Sequence, residues 1–365
     1  MKSAATPVLT GACGSFSLLA LPQESPFVAI GKSQDDIAAL GMGFGLSAQK
    51  AARFAQALYA EGPEIAARQL SPEEYASWIQ AGYHFSPLTA VEESRGSDGS
   101  LRLRCRLLDG RTSEAVLIPD ADGLGPAACL SALAGCALGC VFCGTGRLGF
   151  EHQLKPSDML AMFAALRARS PRPVMRAAFM GQGEPLMNLA HVISAIAVLT
   201  REWSLSPAAI TVSTAGLPPQ MARLAQSPLP PTLVVSLHAS DDTLRQRLIP
   251  VARKWPLSAL MPAVREYARV TRRPVTIQYM LLADVNDAPE QAHALGTLLR
   301  DLPCEVALSR YNPVNVASDG PVFTRPSVVR AQEFLEILRK DGLNASLRAD
   351  WGAEIDAGCG QLVNR

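Results

Sequence analysis

The sequence predicts an α/β chain with a parallel sheet, a small helical N-terminal part and a β-hairpin connector, and three observations carry that prediction. Apolar runs of strand length alternate with helix-period stretches six times beyond residue 126, the pattern of β/α units joined by right-handed crossovers. Ahead of them, residues 87–120 read as alternating strands broken by Asp-Gly turns. Ahead of those, apolar residues recur at helical spacing. Six units fall short of the eight that close a full barrel.

The elements justify this in order. Residues 1–31 lack sustained periodicity and hold Gly, Pro and Ser, so they read as a loose leader. Ser33 opens a helix, Ala48–Tyr59 repeats apolar residues at helical spacing, and Pro72–Ile79 starts another helix after Ser71. Together they outline a helical module over 32–90. In the connector, 91–126, Leu101, Leu103 and Cys105 face one way and Arg102, Arg104 and Arg106 the other. Core strands are expected at Pro126–Leu133, Arg176–Gly181, Ile210–Ala215, Leu233–His238, Val275–Leu281 and Val306–Tyr311. Core helices are expected at Ser157–Arg167, Leu189–Thr200, Pro218–Ala225, Leu257–Val270, Pro289–Leu299 and Pro326–Arg339. The core unit then spans 127–365.

Composition narrows the class. The chain of 365 residues is 48% apolar and 18% charged, as expected of an ordinary globular protein. No run of eighteen apolar residues suits a membrane span, and the N-terminus makes a poor signal peptide. Eight cysteines in a chain of this length, four of them close together, fit metal chemistry in a reducing cytoplasm better than a disulfide scaffold. A net charge of +1 does not advertise nucleic-acid binding. Local arginine pairs exist, among them Arg245 with Arg247, and the plain reading of each is a solvated helix or strand face.

The chemistry concentrates in CLSALAGCALGCVFCGTGRLGF, residues 129–150. Cys136, Cys140 and Cys143 stand as C-x3-C-x2-C in a glycine-rich loop able to point several thiolates at one spot. A structural zinc site takes four ligands, and here there are three with no histidine nearby. Three thiolates on a 4Fe–4S cluster leave one iron open to a small molecule, which suits S-adenosylmethionine (SAM). An inert cysteine trio is the bland alternative.

This stretch resembles the cluster loop of the RlmN/Cfr family of radical SAM ribosomal RNA adenine methyltransferases. The C-x6-C-x3-C-x2-C spacing from Cys129, with Thr145, Gly146, Gly149 and Phe150, carries the likeness, and Gly144 departs from the family's usual Ser or Ala. The tail AEIDAGCGQL, residues 353–362, is similar to the family's D-I-D-A-A-C-G-Q-L. The resemblance implies a partial (β/α)6 radical SAM barrel, a 4Fe–4S cluster on Cys136, Cys140 and Cys143, and SAM as cofactor. It implies SAM contacts from Gly183 and Glu184 in GQGEP, where Gln182 replaces the usual Met. Ser213, Ser236, Leu237, His238 and Asn312 are further SAM contacts by the same likeness, and the stretch after His238, similar to the family's S-L-H-A-x-x-D-x-x-R-x-x-x-x-P block, makes Arg245 and Arg247 candidates for RNA phosphate contacts. It makes Cys359 the thiol that is methylated and carries the carbon to adenine, Cys129 the thiol that releases the product by disulfide formation, and Glu114 a proton acceptor. Cys13, Cys105 and Cys304 remain ordinary core or surface cysteines.

The implied substrate is 23S rRNA, with tRNA as a further candidate, methylated at adenine carbon 2. Carbon 8 is the alternative, since R-Y-N-P at 310–313 lies nearer the Cfr branch. Such a carbon lies between ring nitrogens and defeats simple displacement, which explains why two SAM molecules and a carrier thiol are used. A reducing system such as flavodoxin is the expected electron source, and the chain is expected to act as a monomer. A divergent radical SAM paralogue with another substrate, or an iron–sulfur protein that only binds RNA, stays open. The latter has no use for Glu184, Ser213, His238 and Cys359 together.

Overall fold

The computed structural model describes residues 28–120, 123–314 and 321–363. Most of the expected leader, and Cys13 with it, lies outside the described residues. Its last residues, Val28 to Ile30, are buried, and Val28 bridges to His84, so they belong to the helical part.

That part is α1 (Gln34–Gly43), α2 (Ala48–Ala60), the short α3 (Pro63–Ala67) and α4 (Pro72–Gln80). Ser33 caps α1 by accepting from the Asp36 N–H at 3.1 Å. Ser71 and Glu74 form a reciprocal capping box on α4. Phe44, Phe54, Tyr83 and Phe85 gather around Trp78, some pairs edge to face and the Phe44 and Phe54 rings tilted against the indole. The module is not isolated: Tyr59 packs edge-on against Trp203, whose indole donates to the Tyr59 carbonyl at 2.6 Å.

An antiparallel meander follows, β1 (Leu88–Arg95), β2 (Leu101–Leu107) and β3 (Thr112–Ile118). The alternation read from the sequence holds, with Leu101, Leu103, Cys105 and Leu107 buried. The connector is three strands rather than a lone hairpin, and β3 pairs antiparallel with β4 (Ala127–Leu130). One ten-stranded sheet therefore runs from the meander into the core.

The core alternates as expected. After β4 come the small hairpin β5 (Leu133–Gly135) and β6 (Phe150–Gln153) with α5 (Gly144–Leu148) between them, then α6 (Pro156–Arg169). Next are β7 (Arg176–Phe179), α7 (Leu189–Trp203), β8 (Ile210–Thr214), α8 (Pro218–Ala225), β9 (Thr232–Ser236), α9 (Asp242–Leu248) and α10 (Leu257–Thr271). The chain continues through β10 (Val275–Leu281), α11 (Pro289–Leu299), β11 (Cys304–Arg310), α12 (Val328–Lys340) and β12 (Ala345–Leu347). Strands β4, β7, β8, β9, β10, β11 and β12 pair parallel in that order. The sheet thus gains a short seventh strand, β12, that three residues of weak pattern did not announce. Alongside it, six β/α strands make the partial barrel. Among the described residues no helix is long and apolar enough to cross a membrane.

Candidate functional site

Every site residue expected from the sequence, Glu114 and the tail cysteine apart, stands in the loop after β4 or on a core strand at or near its C-terminal end, where parallel α/β folds gather their chemistry. Cys129 lies on β4 and the cysteine loop follows it. Glu184 follows β7, Ser213 is on β8, Ser236 ends β9 with Leu237 and His238 just beyond, and Asn312 follows β11.

The loop thiols are neighbours. Cys136 and Cys140 are both pushed up, first by burial and then by the other thiols of the loop, Cys136 to about 12 and Cys140 well above the ordinary range. The Leu138 and Glu184 N–H groups pull Cys136 the other way. Among the described residues no three histidine, cysteine or acidic side chains converge tightly enough for a single metal ion. Three half-buried free thiols that repel one another as thiolates suit a larger cationic group, since ligand thiols must deprotonate and a cluster offers that compensation. The donor set fits a three-cysteine 4Fe–4S cluster.

Glu184 is wedged beside this loop. Its carboxylate accepts from the Leu186 N–H at 3.1 Å and the Ala215 N–H at 2.8 Å, and burial raises it to about 7. The glycines before it are needed for packing against protein. A Cβ on Gly181 would lie 2.7 Å from Ser131 Oγ, and one on Gly183, at φ 88°, would lie 2.4 Å from Leu133 Cβ. The two glycines therefore let this turn lie tightly on the β4–β5 chain, with Glu184 beside the strand ends.

The other strand ends form a polar row. Ser213 Oγ and Ser236 Oγ are 3.5 Å apart. His238 takes a left-handed backbone, φ 58°, unusual for a histidine and held by Asn286, whose amide donates to the His238 carbonyl at 2.9 Å. Its Nδ1 accepts from the Met280 N–H at 3.0 Å, which assigns the proton to Nε2. Burial and nearby Arg245 hold the ring neutral down to about 3. Phe142, from the cysteine loop, meets the ring edge-on at 5.0 Å. Leu237 is fully buried.

The tail brings the second set. Asn312 reaches the Cys359 carbonyl at 3.5 Å. The Gly144 N–H donates to the Gly360 carbonyl at 2.7 Å and Thr145 Oγ1 to the Leu362 carbonyl at 2.7 Å, so the tail loop is sewn to the cysteine loop. Cys129 and Cys359, remote in sequence, are close enough that charge on Cys359 raises Cys129. Cys359 also feels Cys143. Ala357 and Leu362 pack with Val116 beside Cys129 in a small apolar cluster. Cys359 is exposed, although enough protein surrounds its sulfur to disfavour the thiolate. Burial pushes its thiol up against the pull of Arg348, and Cys129 rises to about 12. Neither thiol rests as a thiolate.

Glu114, the expected proton acceptor, is fully buried, with Oε1 3.3 Å from Arg102 Nε. Its Oε2 accepts from the Val363 N–H at 3.0 Å and from Gln182 Nε2 at 3.4 Å. Gln182 therefore packs into this pair, an arrangement that no single-residue reading of GQGEP contains. Arg245 offers nothing to phosphate. It is buried, donating to the carbonyls of Leu237 at 3.2 Å and Ala215 at 2.5 Å, so it braces the strand ends from below. Arg247 stays exposed. Of the remaining cysteines, Cys105 is buried in the core as expected and Cys304 is half-buried.

Residues 130–295 match the model of the Radical SAM superfamily. The chain is 41% identical over 265 residues to a probable dual-specificity RNA methyltransferase RlmN of Thermosynechococcus vestitus, covering 73% of this chain and 77% of that protein. It is 39% identical over 289 residues to the dual-specificity RNA methyltransferase RlmN of Syntrophobacter fumaroxidans, covering 78% and 82%. Among solved structures it superposes on a radical SAM methyltransferase from Sphaerobacter thermophilus with a TM-score of 0.83 at 33% identity, covering 93% of this chain and 100% of that one.

Proposed function

This chain belongs to the RlmN family of radical SAM proteins, and we propose that it methylates an adenine of 23S rRNA at carbon 2, with tRNA as a second substrate. The observation that carries the reading is the packing of the Cys359 loop, through Ala357 and Leu362, beside Cys129 and against the cysteine loop. A simple cofactor-binding protein needs no such pair.

A 4Fe–4S cluster on Cys136, Cys140 and Cys143 together with SAM supplies, when bound, the one-electron chemistry that an unactivated aromatic carbon requires. Glu184 takes the cofactor's ammonium group, and that cation offsets the desolvation that now raises the carboxyl. Gly183, Ser213, Ser236, Leu237 and Asn312 shape the rest of the cofactor site. His238, fixed as the Nε2–H tautomer, acts as a neutral donor there. Cys359 is the methyl acceptor and carbon carrier, and its accessible sulfur suits both tasks. Because its thiol is raised, it must shed its proton as it reacts. Once the carbon carried by Cys359 is bonded to adenine, the Cys129 thiolate attacks the Cys359 sulfur: the S–S bond forms as the S–CH2 bond breaks, its electron pair passes to the carbon, and that carbon takes up a proton as the methylated base leaves. Glu114 is the proton acceptor of this scheme, and it can serve only as its contact with Arg102 loosens.

Residues 32–90 carry the RNA in this reading, 91–126 connect, and 127–365 hold the chemistry. A flavodoxin-like reductant supplies electrons to the monomeric enzyme. The cytoplasm, where ribosomal RNA and reduced thiols are kept, is its place. The test is nucleoside mass spectrometry of 23S rRNA and tRNA from a strain lacking the gene. One 2-methyladenosine should disappear from 23S rRNA and return on complementation. An unchanged methyladenosine inventory, or loss of 8-methyladenosine against a synthetic standard, would contradict the proposal.

A further inference from the structure

The tail that carries Cys359 is gripped from beneath by a buried ion pair, one member of which, Glu114, is also the proton acceptor of the proposed scheme. Arg102, on β2, donates through Nη1 to the carbonyls of Ile355 at 2.9 Å and Asp356 at 3.3 Å. Glu114, on neighbouring β3, accepts from the Val363 N–H at 3.0 Å. The two are joined to each other, Arg102 Nε to Glu114 Oε1 at 3.3 Å. One ion pair therefore holds the tail on both sides of Cys359. Its foundation is firm: Glu114 is fully buried and the Arg102 side chain 14% exposed. Ser131 Oγ bonds the Glu114 carbonyl at 2.6 Å, and the Gln182 N–H bonds that same hydroxyl at 2.9 Å. The β1–β2 turn adds a third hold, where Asp98 accepts from the Gly352 N–H at 2.7 Å and Ser97 Oγ meets Glu354 at 3.0 Å.

A buried ion pair is a costly way to join two strands that already share a ladder, and an apolar pair serves that purpose as well. Here Arg102 donates to two tail carbonyls, and Glu114 accepts from a tail N–H beside its contact with Gln182. Arginine is suited to this task, because its planar fork can hold a carboxylate and two carbonyls together. Cys129 sits on β4, next to β3 in the same sheet, with Cys129 opposite Val116 in register. Whatever fixes the tail to β2 and β3 therefore fixes Cys359 relative to Cys129.

We propose that Arg102 and Glu114 act as one positioning pair that sets Cys359 against Cys129, Arg102 holding the entry to the loop and Glu114 its exit. This rests on the reading of Cys129 and Cys359 as the working thiols. It gives the antiparallel meander a task beyond connection, as the platform on which the carrier loop is mounted.

The test uses the full-length, cluster-loaded protein and the azo oxidant diamide. The two thiols lose two protons and two electrons to form the disulfide, and the azo bond is reduced to the hydrazine. The rate of Cys129–Cys359 disulfide formation is read by thiol trapping and peptide mass spectrometry, and hydrogen exchange reports the amides of 355–363. The double variant Arg102→Met, Glu114→Gln removes both charges together, so that neither is left buried alone. It should form the disulfide about tenfold or more slowly, as small misplacements of reacting groups do. Exchange should rise in 355–363 while β2 and β3 stay protected. Arg102→Lys, which keeps the charge but not the fork, should fall between. If the double variant loses protection throughout the sheet, Arg102→Lys decides alone: local loosening of 355–363 upholds the pair. Wild-type disulfide rate and exchange in the folded variants would overturn the inference. So would a Glu114→Gln protein that loses methyl transfer while keeping both the rate and the exchange, since that marks a proton acceptor only. A wild-type protein unable to join Cys129 to Cys359 would instead remove the thiol-pair reading, and this inference with it.

Discussion

Glu184 and His238 show one physical cause with opposite consequences. Burial disfavours the charged form of each, raising the carboxyl to about 7 and lowering the imidazole to about 3. For Glu184 the hydrogen-bond partners, two backbone N–H groups and the Thr214 side chain, are all neutral, so a bound ammonium is the missing counter-charge. Glu184→Gln should weaken SAM binding by about 1.5–3 kcal/mol, roughly 10- to 150-fold in Kd, with the cluster absorbance unchanged. Calorimetric titration of the reconstituted protein checks this, and equal affinities would remove Glu184 from the cofactor site. Ligand-free stability gives a second reading with a definite sign. The folded carboxyl binds its proton near 7 and the unfolded one near 4.5, so this group makes unfolding harder as pH falls through that window and easier as it rises. The stability of the wild type relative to Glu184→Gln should therefore improve from pH 7 to pH 5. Urea midpoints at the two pH values measure it, and a constant difference would show that Glu184 is not desolvated.

The seam between the cysteine loop and the tail loop makes sense of Gly144. A Cβ there would lie 2.7 Å from both Val314 Cγ1 and Val363 Cγ1 and 3.1 Å from the Gly360 carbonyl oxygen. Gly144→Ala should push the tail outward and destabilise the protein by about 1–3 kcal/mol, the usual range for overpacking. Val363→Ala added to it should restore most of the loss, and urea unfolding of the three variants tests the pair. No rescue would place the clash elsewhere. The seam also shows what could be read from the chain alone. The loop and tail motifs were legible because cluster and thiol chemistry fix residue types at fixed spacings. The strands and helices that carry them were legible from periodicity. Their mutual contact was not, since nothing in either segment records its distance from the other. Arg245 was misread for a related reason: a charged residue was weighed by its charge. Its helical neighbours Leu244, Leu248 and Ile249 are buried, and Ile249 lies one turn on, so the face was available in the pattern. Arg102 alternates with core leucines and looked solvated, yet its side of the meander faces the tail.

The molecule as a whole is a continuous sheet whose last described residues fold back to its first antiparallel strands. That return path sets the Cys359 loop beside Cys129 of β4 and against the cysteine loop. Net charge of only +1 fits recognition by local contacts better than a broad basic field. If the order of events is the one proposed, the two tail-site thiols act on opposite sides of the carbon–carbon bond to adenine. Cys359→Ala and Cys129→Ala, each reconstituted and given the RNA substrate, SAM and reductant, test that order most directly on a denaturing gel. Cys129→Ala should accept a methyl group on Cys359, join covalently to RNA and stall, giving a nuclease-sensitive shifted band. Cys359→Ala should stay unmodified in mass and give no such band. Two variants that behave alike, with no trapped RNA from either, would contradict the assignment of carrier and resolving thiol.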